Sequence, residues 1–306
     1  MTTATASSPP LPAPVSGEPV VLQLPGFGRV VALVAGQGAP LLLLHSVNAA
    51  ASAAEVRPLH EHFRHSRTVL SIDLPGYGLS DRPDVAYTPR LMTDALHAAT
   101  AWLRQRCGGT PVDALALSLG CEFLARAAVE RPADYRSLAL VSPTGFMGTR
   151  VWRGAPGSTR AVPGLLKALR GPGWGSALFR GLTRPGVIRY FLERTWGAKA
   201  IDETLWQYDV LTARQPGAEF APLHFLSAGL FSADIHTIYG QLQLPVWMSH
   251  GVRGDFTDYR GCGFLRQQPN WQFSVYPSGA LPHFELPEAV CADLASFLAG
   301  QPVARR

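Results

Sequence analysis

Short apolar runs alternate with amphipathic stretches along the first half of the chain. Residues 41–44, 69–72, 112–115 and 137–141 are almost continuously hydrophobic, which is typical of strands buried on both faces of a parallel sheet. Between these runs, residues 53–65, 88–106 and 122–129 have the spacing of helices. The alternation predicts a parallel α/β sheet that binds ligands at the carboxyl ends of its strands.

A hairpin precedes this regular alternation, and a helical segment separates it from two later strands. Residues 20–24 and 29–35 flank Pro25-Gly26-Phe27-Gly28 and predict a hairpin at a sheet edge. From 147 to 241, helical pieces are broken by Gly-Pro, Arg-Pro-Gly and Gln-Pro-Gly, and aromatic residues are frequent. Strands resume at 246–249 and 271–276, and a last helix covers 288–298. We therefore predict four segments: a disordered, Pro-, Ser- and Thr-rich leader at 1–17, a core at 18–146 and 242–306, and an inserted helical cap at 147–241.

Composition places the chain among globular proteins. Of its 306 residues, 47% are hydrophobic and 16% are charged, and no apolar run is long enough to cross a bilayer. The N-terminus lacks the basic start and apolar core of a signal peptide. The cysteines are scattered without a CxxC pair, which favours free thiols in a reducing compartment. These features predict a cytoplasmic protein.

The positive charge is unevenly distributed. The net charge is +5, and residues 150–194 carry nine basic side chains but one acid, Glu193. Such a face can meet an acidic substrate, a partner or an anionic membrane, but a solvated surface is the favoured interpretation. No nucleic-acid-binding module is recognised, so no nucleic-acid partner is predicted. The oligomeric state is not determined by these features.

One short segment suits a catalytic nucleophile. Ala116-Leu117-Ser118-Leu119-Gly120 lies between an apolar strand and a predicted helix. A nucleophile on a tight strand-to-helix turn needs small residues two positions before and after it, because larger side chains would collide. The helix that follows directs its free N–H groups at negative charge developing near Ser118.

A serine nucleophile needs a base, and the base needs a carboxylate to hold its tautomer. Asp255 and Asp258 follow the strand at 246–249, and His283 follows the strand at 271–276. The order Ser, Asp, His along the chain is the one expected of an α/β-hydrolase. Ser118, Asp255 and His283 are the predicted triad, with Asp258 as an alternative acid.

Five features in the right order resemble a capped, esterase-like α/β-hydrolase. They are His45 at a strand end, the loop Asp73-Leu-Pro-Gly-Tyr-Gly-Leu-Ser80, the Ser118 turn, Asp255 after a glycine, and His283 before Glu-Leu-Pro. The resemblance implies an α/β-hydrolase fold, with a mostly parallel central sheet flanked by helices and an inserted helical cap. It implies that Ser118 attacks, His283 accepts and returns the proton, and Asp255 orients His283. It also implies an oxyanion hole formed by the backbone N–H groups of Val47 and Leu119.

The sequence departs from that family in four places, one of which is Pro282, where the residue before the catalytic histidine is often glycine. Ser46 and Ala116 stand where the family usually has glycine, and Gly254 lengthens the acid loop by one residue, which keeps Asp258 open as the acid. Asn48 lies beside the predicted oxyanion hole. Its side chain either contacts substrate or holds its own loop by local hydrogen bonds.

These features together predict a cofactor-independent serine hydrolase. Its substrate would be a carboxylic ester or related acyl compound with a hydrophobic portion, cleaved through an acyl-enzyme. Ser118 excludes members of the fold that use an aspartate nucleophile, and no metal or nucleotide motif is present. Three alternatives stay open: a C–C bond hydrolase of the ring-cleavage-product type, an acyl transferase or perhydrolase, and a non-catalytic small-molecule receptor.

Overall fold

One eight-stranded sheet organises the part of the chain that the structure describes, residues 10–171 and 174–300 of a computed structural model. The strand order is β1-β2-β4-β3-β5-β6-β7-β8. Strand β2 pairs antiparallel with β1 on one side and with β4 on the other, and all other neighbouring strands are parallel. The predicted fold class is confirmed. The strands are β1 Glu18–Leu24, β2 Gly28–Ala35, β3 Ala39–Leu44, β4 Arg67–Ile72, β5 Val112–Leu117, β6 Tyr135–Val141, β7 Val246–Gly251 and β8 Trp271–Tyr276.

Burial along the strands follows their place in the sheet. All six residues of β5 are buried, and five of the six in β3 are buried, since helices cover both faces there. In the edge strand β1, buried and exposed residues alternate from Val20 onwards because one face meets solvent. The continuous apolar runs in the sequence therefore mark the central parallel strands.

Helices cover both faces of the sheet. The helix predicted at 88–106 begins after Thr88, whose side chain accepts a hydrogen bond from the N–H of Leu91 and caps the first turn. The stretch predicted at 53–65 divides into a 3-10 turn, Ala53–Val56, and a following α-helix. The α-helices outside the predicted cap are α1 Arg57–Phe63, α2 Pro89–Arg106, α3 Gly120–Glu130, α10 Pro282–Glu285 and α11 Pro287–Leu298.

The segment between β6 and β7 carries six further helices among its described residues. Its ion pairs reach α3, the helix that begins just after Ser118: Arg160 pairs with Glu122 at 3.0 Å, and Asp234 pairs with Arg126 at 2.6 Å. These contacts attach the insertion directly to the helix of the predicted nucleophile. Its helices are α4 Leu165–Leu169, α5 Gly175–Leu182, α6 Pro185–Trp196, α7 Glu203–Thr212, α8 Phe220–Leu226 and α9 Ile235–Gln241.

The N-terminal segment is better ordered than its composition predicts. Val15 is buried, and the N–H of Ser16 donates to Glu61 of α1 at 2.8 Å. The carbonyl of Pro12 accepts a hydrogen bond from the Tyr208 hydroxyl of α7 at 2.9 Å. Residues 10–17, which the composition predicts to be disordered, therefore contact α1 and α7 in the structure, because proline-rich backbone can still supply carbonyl acceptors and apolar rings. Residues 1–9 of the predicted leader and 301–306 of the core lie outside the described residues.

Two sequence-level expectations concern membranes and thiols. None of the helices in the described part of the chain combines the length and hydropathy needed to cross a bilayer. The four cysteines are free thiols in the structure, and three of them are buried.

Candidate active site

Ser118 occupies a strained turn between β5 and α3. Its φ of 50° lies in the left-handed region, which a residue with a side chain adopts only when its surroundings require it. The N–H of Ser118 donates to the carbonyl of Val141 at the end of β6, at 2.9 Å. The side chain is partly exposed. The turn thus holds the hydroxyl at the carboxyl edge of the sheet.

Gly120 is required by the packing of this turn. A Cβ atom at this position would lie 2.5 Å from the backbone carbonyl oxygen of His45, closer than real Cβ contacts allow. The Cβ of Ala116 lies 3.8 Å from the same point, an ordinary contact. The small residues recognised in the sequence therefore let β5, α3 and the loop after β3 approach one another.

His45 holds the loop after β3. Its Nε2 accepts the N–H of Leu74 at 2.9 Å, and its Nδ1 lies within hydrogen-bond distance of the Ser46 carbonyl. Since a carbonyl can only accept, Nδ1 carries the proton. Complete burial lowers the pKa of His45 to about 4, so the ring is neutral at pH 7. This residue joins two loops.

The predicted oxyanion donors belong to two different segments. Val47 lies in the loop after β3, Leu119 directly follows Ser118, and both are buried. Within the described residues, neither backbone N–H has a hydrogen-bond acceptor. Their role as an oxyanion hole stays a prediction.

Glu55 lies beneath the same loop and was not predicted as a site residue. It is 3% exposed, and its carboxylate accepts the N–H of Ser46 at 2.7 Å, the hydroxyl of Ser46 at 2.9 Å and the side-chain amide of Asn48 at 2.8 Å. Burial raises the pKa of the Glu55 carboxyl, and the nearby charge of Asp73 adds to that rise. A signal was present in the sequence: Glu55 is the one acid in an alanine-rich run that follows the departure at Ser46.

Asn48 uses its side chain within its own loop. Its amide nitrogen donates to Glu55 and to the Ser46 hydroxyl, and its amide oxygen accepts the N–H of Ala50 at 2.7 Å. These are the local hydrogen bonds expected if Asn48 holds its own loop. Substrate contact by Asn48 stays a prediction.

His283 lies in α10, fully buried and away from its predicted partners. Its Nε2 donates to the backbone carbonyl of Glu55 at 2.7 Å. Among residues 10–171 and 174–300, its Nδ1 atom has no hydrogen-bond partner. Burial lowers the pKa of His283 to about 4. The structure therefore contains neither a Ser118–His283 nor an Asp255–His283 hydrogen bond.

Both predicted acids are engaged elsewhere. The carboxylate of Asp255 accepts two hydrogen bonds from Arg194 of α6, at 2.5 and 2.6 Å, and this pair is exposed to solvent. Asp258 pairs with Arg260 at 2.7 Å and accepts the N–H of Gly148 at 2.9 Å. The expected contact between Asp255 and His283 is not formed, because the longer acid loop packs on α6. The backbone of Gly254, at φ 81°, lies against the carbonyl of Arg194.

No metal site is apparent in the described residues. No group of three or more His, Cys, Asp or Glu side chains is arranged there to hold an ion. Cys121, three residues after Ser118, is buried, and burial raises the pKa of its thiol well above the usual range.

Comparison with known proteins places this architecture. A family model described as the alpha/beta hydrolase fold matches residues 39–163. The chain has the α/β-hydrolase fold. A comparison of the sequence with curated proteins found no match.

Solved structures share the fold over nearly the whole chain. A serine hydrolase involved in carbazole degradation superposes with a TM-score of 0.71 at 17% identity, over 94% of this chain and 100% of its own. An esterase from Exiguobacterium antarcticum gives 0.71 at 16% identity, over 93% and 100%. An epoxide hydrolase gives 0.70 at 19% identity, over 92% and 99%. At these identities the likeness shows the fold and leaves the reaction open.

Proposed function

We propose that this α/β-hydrolase-fold protein is a serine hydrolase in which Ser118 is the nucleophile. Its substrate would be a carboxylic ester or related acyl compound, cleaved through an acyl-enzyme. The observation that carries the proposal is the strained turn, which presents a partly exposed Ser118 at a φ of 50° beside two buried loops. A positive φ costs a serine conformational free energy, and it holds the Ser118 hydroxyl at the carboxyl edge of the sheet. This arrangement suits attack on a carbonyl carbon.

The reaction would proceed in two steps at this edge. The Ser118 oxygen would attack the carbonyl carbon, and the N–H groups of Val47 and Leu119 would donate to the oxyanion that develops. Loss of one such donor typically costs about 100- to 1,000-fold in rate. Collapse of the tetrahedral intermediate would expel the alcohol, which takes up the Ser118 proton, and water would then hydrolyse the acyl-enzyme to the acid and free Ser118. The sequence predicts His283 as the base and Asp255 as its orienting acid, whereas the structure pairs His283 with the Glu55 carbonyl and Asp255 with Arg194.

A hydrophobic substrate is supported by the surroundings of the loop after β3. Ala50 belongs to an apolar cluster with Phe179 and Ile188 of the insertion, against which Ala49 and Trp206 also pack. The insertion thus brings apolar side chains to the residues that follow Asn48. An acyl chain bound beneath the insertion would contact apolar side chains, which is typical of small-molecule sites.

One observation favours a second candidate, a non-catalytic small-molecule receptor. In a working triad the Nδ1–H of the histidine donates to a carboxylate. In the described part of this chain, Nδ1 of His283 has no partner, and Nε2 is held by a backbone carbonyl. A receptor would need a binding site but no base.

Labelling with a fluorophosphonate, combined with hydrolysis of p-nitrophenyl esters from acetate to long acyl chains, tests the proposal. Wild type should be labelled and should hydrolyse part of the series, and Ser118→Ala should lose both. Ser142→Ala is the matched control, since Ser142 also has a positive φ of 49° but donates its hydroxyl to the Ala280 carbonyl. Labelling that persists in Ser118→Ala would refute the assignment. An unlabelled wild type that is stabilised by an ester would favour the receptor.

A further inference from the structure

Glu55 joins two segments that are distant in sequence. Its carboxylate holds the loop after β3 through Ser46 and Asn48, at 2.7–2.9 Å. Its backbone carbonyl accepts the Nε2–H of His283, which lies 228 residues further along the chain, at 2.7 Å. A single buried residue therefore couples the predicted oxyanion loop to the helix that carries the predicted base.

The direction of the second bond determines the tautomer of His283. A carbonyl oxygen has no proton to give, so the proton must be on Nε2 and the lone pair on Nδ1. In a Ser-His-Asp triad the arrangement is the reverse: Nδ1–H donates to the acid, and Nε2 takes the proton of the serine. His283 is thus locked in the tautomer opposite to that of a triad base.

The contacts on the loop have a geometric consequence for Val47. Ser46 and Asn48, the residues on either side of Val47, are both held by the Glu55 carboxylate. The Val47 N–H shares a peptide plane with the Ser46 carbonyl, which accepts from His45. The bonds from Glu55 restrict the residues on either side of Val47 and so help to set the direction of its N–H. The same carboxylate also occupies the Ser46 hydroxyl, which accounts for serine at a position where the related hydrolases usually have glycine.

We propose that Glu55 and His283 form a positioning unit for the oxyanion loop, and that His283 is not the general base. His283 holds the 3-10 turn of Glu55 in place through the backbone carbonyl, and Glu55 in turn holds the loop. Removal of either side chain would misdirect the Val47 donor without removing a proton acceptor. The kinetic part of this inference rests on the proposed function, whereas the tautomer of His283 does not.

The tautomer can be measured on the full-length protein without any substrate. Long-range ¹H–¹⁵N NMR of histidine-labelled protein distinguishes Nε2–H from Nδ1–H rings, and His283→Gln assigns one of the nine histidines by loss of its signals. We expect the Nε2–H form for His283 at pH 7. An Nδ1–H form would overturn the inference.

Variants then separate a positioning role from a base. The rate of Ser118 phosphonylation and the kcat for an ester should fall about tenfold in Glu55→Ala and in His283→Ala, with KM nearly unchanged, because the donor serves the transition state. His283→Gln keeps a side-chain N–H for the Glu55 carbonyl and should recover to within about threefold of wild type. Glu61→Gln, on the surface of α1, is the control for loss of a nearby carboxylate.

The outcomes distinguish this inference from the proposed function. If His283→Gln is as slow as His283→Ala and both lose about 1,000-fold or more, His283 is a base and the inference fails. If wild type is neither labelled nor active, the proposed function fails, and the tautomer alone decides on the positioning unit. An Nε2–H ring would then still support it.

Discussion

Glu122 offers the sharpest test of how the insertion is held on the core. This carboxylate is fully buried in the first turn of α3, four residues after Ser118. It accepts the hydroxyl of Thr144 at 2.6 Å, the guanidinium of Arg160 at 3.0 Å and the N–H of Ser232 at 2.7 Å. Arg160 and Ser232 belong to the insertion, so one core carboxylate anchors two of its segments.

The cost of Glu122→Ala follows from what it leaves behind. The guanidinium of Arg160, whose side chain is 14% exposed, would lose its ionic partner in a buried site. Breaking such a pair from one side costs about 3–5 kcal/mol, because an uncompensated charge stays buried. With an unfolding entropy of about 2.1 cal/mol/K per residue over 306 residues, this corresponds to a fall in Tm of about 5–8 °C.

Calorimetry and urea unfolding of matched variants would measure this cost. Asp94→Ala removes one partner of the exposed Arg90–Asp94 pair and should cost about 0.5 kcal/mol or less. The double variant Glu122→Leu/Arg160→Met removes both buried ions and should recover much of the loss. If Glu122→Ala is no more destabilising than Asp94→Ala, the anchoring argument is refuted. If the double variant is less stable than Glu122→Ala, the buried-charge explanation is wrong.

Three further predictions concern the candidate site. Asp255→Asn should change ester kinetics less than twofold, since its carboxylate pairs with Arg194, whereas steady-state kinetics would show a loss of about 10,000-fold for a triad acid. Gly120→Ala should lower the free energy of unfolding by about 1–3 kcal/mol, because its Cβ meets the His45 carbonyl, and an unchanged urea midpoint would contradict this. The pKa of His45 is near 4 when folded and 6.5 when unfolded, so the unfolded chain binds the proton first as pH falls. Between pH 7 and 5 this costs about 2 kcal/mol of stability. The Asp73 carboxyl, whose pKa burial raises to about 6, opposes this change. Urea unfolding of wild type and His45→Gln at both pH values isolates the His45 contribution.

The strand pattern and the Ser118 turn could be predicted from the sequence because their causes are local. A central parallel strand is buried on both faces, so its run of apolar residues is continuous, as in β3 and β5. A tight turn restricts the size of nearby side chains, and this restriction appears as Ala116 and Gly120 around Ser118. The hairpin, α2 and its Thr88 cap follow from equally short-range chemistry.

The partners of the polar site residues were decided only by the tertiary structure. The sequence predicted His283 as the partner of the Asp255 carboxylate, but in the structure this carboxylate pairs with Arg194. No local sequence pattern distinguishes these two partners. Likewise, the bond from His283 to Glu55 spans 228 residues and ends on a backbone carbonyl, an acceptor that every residue possesses. The spacing of apolar residues predicts which face of a helix or strand is buried. It does not predict which buried donor bonds to which acceptor, because that depends on how elements far apart in the chain pack together.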